Sequence, residues 1–473
     1  MMHPTTKILA TLGPASEAPH RVKALISAGA SAFRMNYSHG EHEEHLGRLT
    51  TVREVASEMG RHVPIVSDMQ GPKLRVGKIA GEALKLGFGD EVEAHLGETA
   101  PEGTLPVPHE ELFEALKAGD ELMIDDGAIR LSVIEGGSAK MVLKTEVPGT
   151  VTNRKGINVP GRRLRIDALT EKDRSDLAFA LEHNTDYVAL SFVQCAEDVQ
   201  AAREIIGTRS RIISKIEKPS ALEDLEGIVE ASDGVMVARG DLGVELPLEQ
   251  VPPAQRRIIS MARERGKLVI VATQMLQSMV DAPIPTRAEA SDTATAVYLG
   301  ADAVMLSAES AVGRHPEAAV AIMTRIIRAV SEDPNSFAEI AAACPDPFMN
   351  AVGGATAVAA ADAADLVDAT AIVAATNSGS TAYLISQLRP EQPIIALTPH
   401  ELTARQVALA WGVTPKIIKD TEDFEELTRF AAEASSEFTG AQSENLAILL
   451  AGLPPGRVGS TNTMKIFRIG DYK

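Results

Sequence analysis

Short runs of apolar residues, each followed by an amphipathic stretch, set the rhythm of most of this chain. The runs are KILATLG (Lys7–Gly13), AFRMNYS (Ala32–Ser38), VPIVSDMQ (Val63–Gln70), DYVALSFV (Asp186–Val193), RIISKIEK (Arg211–Lys218), GVMVARGDL (Gly234–Leu242), LVIVATQML (Leu268–Leu276) and AVMLSAES (Ala303–Ser310). Continuous apolar runs of this length predict strands covered on both faces, as in a parallel sheet. The stretches between them, such as His20–Gly29 and Glu197–Gly207, carry a helical period. Strands in this number, each separated from the next by a helix, are what a (β/α)8 TIM barrel requires.

One interval breaks the rhythm. From Pro72 to Gly161 the helical period fades, and glycine-punctuated β-like runs replace it: KLRVGKI, GDEVEAHLG, AIRLSVIEG and KMVLKTEV. This predicts a small β-barrel inserted after the third barrel strand, where it would stand over the barrel mouth as a lid. Beyond Asp333 a third region alternates TAIVAATNSGS, PIIALTP, NLAILLAG and TMKIFRIG with helical stretches, and an open α/β domain is the natural reading. The expected division is therefore residues 1–71 and 162–333 for the barrel, 72–161 for the lid and 334–473 for a C-terminal regulatory domain.

Composition narrows the class. A chain of 473 residues, 45% hydrophobic and 23% charged, has ample material for large cores. The formal net charge of −19 argues against a nucleic-acid-coating protein, whose affinity depends on neutralising phosphates. It leaves room for a locally basic cleft. The two cysteines, Cys195 and Cys344, stand far apart with no CxxC, which excludes a disulfide framework. No signal-peptide pattern opens the chain, and Asp362, Asp365 and Asp368 interrupt its longest apolar stretch. A cytoplasmic protein without membrane spans is the expectation.

The polar residues within the apolar runs carry the chemistry. They fall near the C-terminal ends of the predicted strands, which is where barrel enzymes place their sites. Strand two ends in Arg34, Asn36 and Ser38, strand three in Asp68 followed by Gly71 and Arg75, and strand four near Ser191. Strand five carries Lys215 and Glu217, strand six Arg239 and Asp241, strand seven Thr273, and strand eight Ser307 and Glu309. Taken singly, each is as well explained by a salt bridge or by solvent. As a ring around one mouth they suggest a site. Lys215 and Glu217 share a strand face. The carboxylates of Glu217 and Asp241 suit a hard cation whose shell a phosphate completes. Arginine and lysine nearby suit phosphoryl oxygens. The constellation reads as phosphoryl transfer or enolate chemistry.

The segments RMNYSHG (Arg34–Gly40), SKIEKP (Ser214–Pro219), MVARGDLGVE (Met236–Glu245), VATQML (Val271–Leu276), PTRAEASD (Pro285–Asp292) and VMLSAES (Val304–Ser310) together resemble the pyruvate kinase family, in its order and over nearly the whole chain. The resemblance implies transfer of the phosphoryl group of phosphoenolpyruvate to ADP, giving ATP and pyruvate. It implies that Glu217 and Asp241 ligate Mg2+ or Mn2+, that Lys215 lies against the transferring phosphoryl group, and that Arg34 grips the phosphate. Gly240 and Asp241, through their backbone N–H groups, would receive the substrate carboxylate with Thr273, which is also tied to protonation of the enolate. Ser191, Ser307 and Glu309 would support the cleft. Arg75 and Lys155 would act on the nucleotide side, with Asn36 and His39 beside the nucleotide. A homotetramer is implied in the same way.

One departure bears on cofactor use. Asn36, Ser38, Asp68 and the carbonyl of Met69 match the ligands of the K+ that many family members need. A lysine, Lys73, stands where those members commonly have glutamate, and resembles the K+-independent branch. Its fixed charge could replace that of the ion, so K+ is expected not to be required. A solvated side chain at the lid hinge is the plain alternative. Gln277, Ala308 and Ser310 depart from the pattern only at its edges. In the last region, Thr376, Asn377, Ser378, Gly379, Ser380 and Thr381 stand between a strand and a helix. They resemble the family's allosteric sugar-phosphate loop, with an ordinary helix cap as the alternative. Two rivals stay open at this level: a phosphoenolpyruvate-type barrel lyase, which would need neither inserted lid nor appended domain, and a catalytically silent relative, which should have lost one of these residues.

Overall fold

The computed structural model describes residues 6–164, 166–333, 352–453 and 461–472. Cys344 and the expected start of the C-terminal domain at 334 lie outside them. The eight apolar runs form a closed parallel barrel, its strands being Lys7–Thr11, Ala32–Asn36, Ile65–Asp68, Tyr187–Leu190, Arg211–Ile216, Gly234–Ala238, Leu268–Ala272 and Ala303–Leu306. Pairing of Lys7 with Ala303 and of Leu9 with Ala32 joins the first strand to the eighth and the second. Because side chains alternate across a strand, Leu9, Val66, Ile213, Met236 and Ile270 fill the barrel interior, while Ile8, Phe33, Ile212, Val235 and Val269 pack against the surrounding helices.

Each strand is shorter than its apolar run. The run from Gly234 to Leu242 is a strand only to Ala238, and Arg239–Glu245 is a short helix that carries Arg239 and Asp241. Thr273 follows its strand, and Glu309 lies in the one-turn helix Ala308–Ala311. Backbone hydrogen bonding ends where the chain turns over the rim, so Arg239, Asp241, Thr273 and Glu309 lie just above the sheet, whereas Arg34, Asn36, Asp68 and Lys215 lie on the strands themselves.

The inserted region holds a six-stranded sheet and a two-stranded sheet around one apolar cluster that runs from Leu74 to Leu164. The topology is therefore two sheets, not a single closed barrel. KLRVGKI, read as a strand, makes only isolated bridges at Arg75 and Lys78. The insertion leaves the barrel at Gly71, which has φ +69°, and a Cβ there would meet the Ser191 Cβ at 2.9 Å and its carbonyl oxygen at 3.0 Å. It returns at Leu164, whose N–H donates to Gln194 Oε1 (3.2 Å) and whose carbonyl accepts from Gln194 Nε2 (3.0 Å).

The C-terminal domain is a five-stranded sheet with apolar clusters on both faces, four strands parallel and the last antiparallel. Its outer strand Val413–Ile417 has no counterpart in the sequence reading. The domain seals the bottom of the barrel: Leu409 is fully buried in the barrel's inner cluster, and the Tyr187 hydroxyl donates to the Gln406 carbonyl at 2.6 Å. Among the described residues, no helix is long and apolar enough to cross a membrane.

Candidate active site

The C-terminal rim of the barrel gathers its first five strands on one buried charge cluster. Arg34, at the end of the second strand, donates through Nε to Asp68 Oδ2 at 2.6 Å and through Nη1 to Thr11 Oγ1 at 3.2 Å. Asp68 Oδ1 lies 3.2 Å from Lys215 Nζ, which also donates to Ser191 Oγ at 2.6 Å and stands 2.9 Å from Glu217 Oε1. Ser191 Oγ in turn donates to the Met69 carbonyl at 2.7 Å. Burial opposes ionisation of Asp68, but the Arg34 and Lys215 charges overcome it and hold the carboxyl below its usual range. Burial likewise works against the Lys215 ammonium, and the Asp68 and Glu217 charges more than compensate, so its pKa rises. Glu217 goes the other way: burial raises its pKa against the pull of Lys215, and the Asp241 charge adds to the rise.

The buried Glu217 carboxylate faces the Asp241 charge at the edge of the cleft, and a cation between them would relieve the repulsion. Glu217 Oε2 is held by the Phe192 N–H at 2.7 Å, whereas the buried Oε1 has no hydrogen-bond partner beside its ion pair with Lys215. Among the described residues there is no group of three or more His, Cys, Asp or Glu placed to bind a metal. As hard oxygen donors, Glu217 and Asp241 fit a divalent ion whose shell substrate and water would complete.

The next strands build a polar wall. Thr273 has φ +68° and Gln274 φ +54°, and for a β-branched residue the first is a costly conformation, about 1–3 kcal/mol. It directs Thr273 Oγ1 to accept from the Gly240 N–H at 2.7 Å while donating to the Ala272 carbonyl at 2.6 Å. Arg239 braces the strained turn. Its Nη2 donates to the Thr273 carbonyl at 2.7 Å and its Nη1 to Asp292 Oδ2 at 2.6 Å. Glu309 is fully buried and accepts from the N–H groups of Leu276 (3.1 Å) and Ser307 (2.7 Å), and the Ser307 hydroxyl is buried without a partner.

The lid contributes from above. A cleft of about 650 Å³ opens between the two units and is lined by Lys73, Asp126, Gly240, Asp241, Gln274 and Asp292 among others. Lys73 Nζ stands 4.0 Å from Asp126 at the lid tip, and Lys155 donates to the adjacent Asp125 at 2.7 Å. Arg75 turns to the lid backbone, donating to the Arg154 carbonyl at 3.0 Å. Asn36 Oδ1 accepts from the Ser38 N–H at 3.2 Å, and His39 is exposed, its carbonyl accepting from His45 Nε2 at 3.0 Å. The structure thus brings Arg34, Asp68, Met69, Ser191, Lys215 and Glu217 into contact, with Gly240, Asp241 and Thr273 beside them. Arg75, Lys155 and Lys73 stay on the lid side.

The Thr376–Thr381 loop lies at the far end of the molecule from this mouth. Thr376 Oγ1 accepts from the Gly379 N–H at 2.9 Å, Gly379 has φ +90°, and the helix Ser380–Gln387 follows. Arg211, at the opposite end of the fifth strand from Lys215, donates to the Ser378 carbonyl at 2.8 Å.

Sequence reasoning gave no role to Thr11, Asp292 or Phe192, and placed Arg239 in the ring without a partner. Arg239 and Asp292 lie within quoted motifs, so their pairing was open to inference. The Phe192 N–H depends on a positive φ of +57°, which no residue type announces at a phenylalanine.

A parallel barrel with a charged, cation-ready mouth under an inserted lid defines a metal-assisted enzyme of phosphoryl or enolate chemistry. Comparison with known proteins is specific. Residues 3–320 match the family described as "Pyruvate kinase, barrel domain" and residues 354–467 that described as "Pyruvate kinase, alpha/beta domain". A pyruvate kinase of Agrobacterium vitis is 44% identical over 466 residues, covering 98% of each chain. One of Staphylococcus aureus is 41% identical over 477 residues, covering 98% of this chain and 80% of the relative. The crystal structure of a pyruvate kinase from Cryptosporidium parvum superposes with a TM-score of 0.93 at 35% identity, covering 98% of this chain and 96% of that one. The chain belongs to the pyruvate kinase family.

Proposed function

We propose that this protein transfers the phosphoryl group of phosphoenolpyruvate to ADP, with the Lys215 cluster at the reacting centre. The bond between phosphorus and the enol oxygen breaks, a bond from phosphorus to a terminal ADP oxygen forms, and the electron pair left behind makes the enolate of pyruvate. That enolate then takes a proton at carbon. The observation that carries the reading is a buried ammonium held charged between Asp68 and Glu217, at the rim where Arg34 also ends. Phosphoryl transfer asks the protein for positioning and fixed positive charge on the equatorial oxygens, and Lys215 and Arg34 offer both.

Glu217 and Asp241 would hold a divalent ion, which when bound would supply Lewis-acid charge to the transfer. The Gly240 N–H, held to Thr273 Oγ1 in this structure, is the donor best placed for the substrate carboxylate. Thr273 is then left near the enolate carbon to pass on a proton through water. Arg75, Lys155, Asn36 and His39 receive the nucleotide, and residues 72–161 close as a lid that keeps water from the phosphoryl group. The Thr376–Thr381 loop binds a phosphorylated effector, and the working form is a homotetramer in the cytoplasm. Lys73 stands in for K+.

The test is pyruvate formation from phosphoenolpyruvate and ADP with Mg2+ in K+-free buffer, then with K+ restored. Full activity in both supports the transfer and the role of Lys73. Activity only with K+ keeps the transfer and removes the reading of Lys73, while no activity in either removes both.

A further inference from the structure

The inserted region joins the barrel by two connections, and one buried side chain holds both. Asp173 lies in the first turn of the helix Glu171–Glu182 and is fully buried. Its Oδ1 accepts from the Gly71 N–H at 3.0 Å, on the outgoing connection. Its Oδ2 accepts from the Thr170 N–H at 3.0 Å and from the Thr170 hydroxyl at 2.5 Å, on the returning one. The Asp173 N–H donates in turn to Thr170 Oγ1 at 3.1 Å, which completes a capping box. Capping accounts for the bonds to Thr170. It does not account for the bond to Gly71, which stands 102 positions earlier, after the third barrel strand.

Gly71 bears directly on the reacting cluster. It packs so closely on the chain after the fourth barrel strand that a Cβ would stand 2.9 Å from the Ser191 Cβ and 3.0 Å from Phe192 Cδ2. Ser191 Oγ accepts from Lys215 Nζ at 2.6 Å, and the Phe192 N–H holds Glu217 Oε2 at 2.7 Å. The returning connection meets the same segment two residues further on, where the Gln194 side chain is paired with the backbone of Leu164. Movement of either connection is thus passed to the residues that hold the Lys215 ammonium and the Glu217 carboxylate.

We propose that Asp173 is a positioning residue for phosphoryl transfer: it pins the outgoing and returning connections at one point, so that residues 72–161 turn about a fixed hinge and close squarely over Lys215. The proposal rests on the reading of residues 72–161 as a lid over the transfer site. Asp173 touches no reacting atom and acts through Gly71. Hinge residues of this kind control turnover from outside the chemistry, because a misplacement of about 1 Å at a reacting centre can cost about a hundredfold in rate. A lid that closes askew also admits water to the phosphoryl group.

The test compares the full chain as wild type, Asp173→Asn and Thr170→Val, with phosphoenolpyruvate, ADP and Mg2+, measuring pyruvate, ATP and inorganic phosphate separately. An amide has one acceptor oxygen, so Asp173→Asn cannot serve both Gly71 and Thr170 and frees one connection. Thr170→Val is the control for the helix cap: it removes the hydroxyl and leaves both backbone N–H groups on Asp173. In Asp173→Asn, kcat should fall about tenfold or more, as loss of a hydrogen bond to a charged group implies. KM for phosphoenolpyruvate should stay within about twofold, because the barrel contacts to substrate are untouched. Pyruvate should exceed ATP, the excess matched by inorganic phosphate, as water takes the phosphoryl group in place of ADP. Thr170→Val should keep one ATP per pyruvate. If Asp173→Asn is as well coupled and as fast as Thr170→Val, Asp173 is a helix cap only and the proposal falls. Amide exchange in wild type gives a reading that needs no variant. The Gly71 and Thr170 amides should be protected together, and a Gly71 amide that exchanges freely beside a protected Thr170 would also overturn the hinge. Wild type that forms no ATP removes the transfer reading itself, whereas intact ATP formation with either of those two results removes the role of Asp173 alone.

Discussion

Lys215 keeps its charge in a buried place because Asp68 and Glu217 stand 3.2 and 2.9 Å from its ammonium. Lys215→Met removes that cation and leaves the two carboxylates facing each other with only Arg34 as counter-ion. Turnover should fall about 10²–10³-fold, the loss typical when one preorganised charge is removed from a reacting centre. Steady-state assays of phosphoenolpyruvate and ADP check this, and an unchanged kcat would dismiss Lys215 as the phosphoryl-facing group. Gly71 sets the same cluster from behind. Its φ of +69° and the 2.9 Å approach to the Ser191 Cβ leave no room for a side chain. Gly71→Ala should destabilise the fold by about 1–3 kcal/mol and loosen the Ser191 contacts with Lys215 and Met69. A lowered denaturant midpoint together with reduced kcat is the expected pair of results. A midpoint equal to wild type would mean that the hinge yields freely.

The helix Arg239–Glu245 ties the lid to the Glu217 and Asp241 carboxylates. Its first turn holds Gly240 and Asp241. Its last residue, the buried Glu245, accepts from Asn158 Nδ2 of the lid at 3.0 Å and stands 3.5 Å from Lys218 Nζ. Lys218 lies over the Phe192 ring at 5.9 Å, and the Phe192 N–H holds Glu217. Glu245→Gln keeps the shape but removes the charge facing Lys218. Amide exchange should then rise in both Ile157–Asn158 and Arg239–Glu245, with kcat/KM for ADP reduced several-fold. Faster exchange confined to the lid would show that the helix does not share in lid docking. Elements of this kind were the least legible from sequence. The eight barrel strands announce themselves because their apolar runs are buried on both faces, but a seven-residue helix that follows such a strand without a break, RGDLGVE after GVMVA, does not. Lid strands of two to four residues carry too little alternation to register. Val413–Ile417 hides behind Pro415, which a central strand would not tolerate; among the described residues it is an edge strand, paired with Ile394–Thr398 alone. The charged ring was legible because polar residues inside apolar runs are conspicuous, whereas the positive φ at Thr273 was not, since a β-branched residue argues against it.

Contacts between the barrel and the C-terminal domain were invisible in the sequence for another reason: they join residues far apart in the chain that carry no shared pattern. Arg389, fully buried, pairs with Asp302 of the barrel at 2.9 Å and lies over the Trp411 ring at 5.0 Å. Lys7, the first residue of the first strand, donates to the Val413 carbonyl at 2.7 Å across the same junction. Burial, with a smaller contribution from Arg61, pushes the Lys7 ammonium down to about 8. The unfolded chain keeps the ordinary value near 10.5. Below pH 8 Lys7 is charged in both states, and folding bears the whole cost of burying the charge. Between about pH 8 and 10.5 the unfolded chain still holds the proton and the folded chain has released it, so the unfolded state binds more protons and stability rises with pH. The gain from this one group is about 3 kcal/mol across the window, at 1.36 kcal/mol per unit. Other lysines titrate in the same range, so the informative quantity is the difference between wild type and Lys7→Met. The variant should be the more stable near pH 7.5, and its advantage should shrink steadily towards pH 10. Denaturant midpoints taken across that range check it; two curves that run parallel would mean that Lys7 stays charged in the folded protein and that its bond to the C-terminal domain is a charged one throughout.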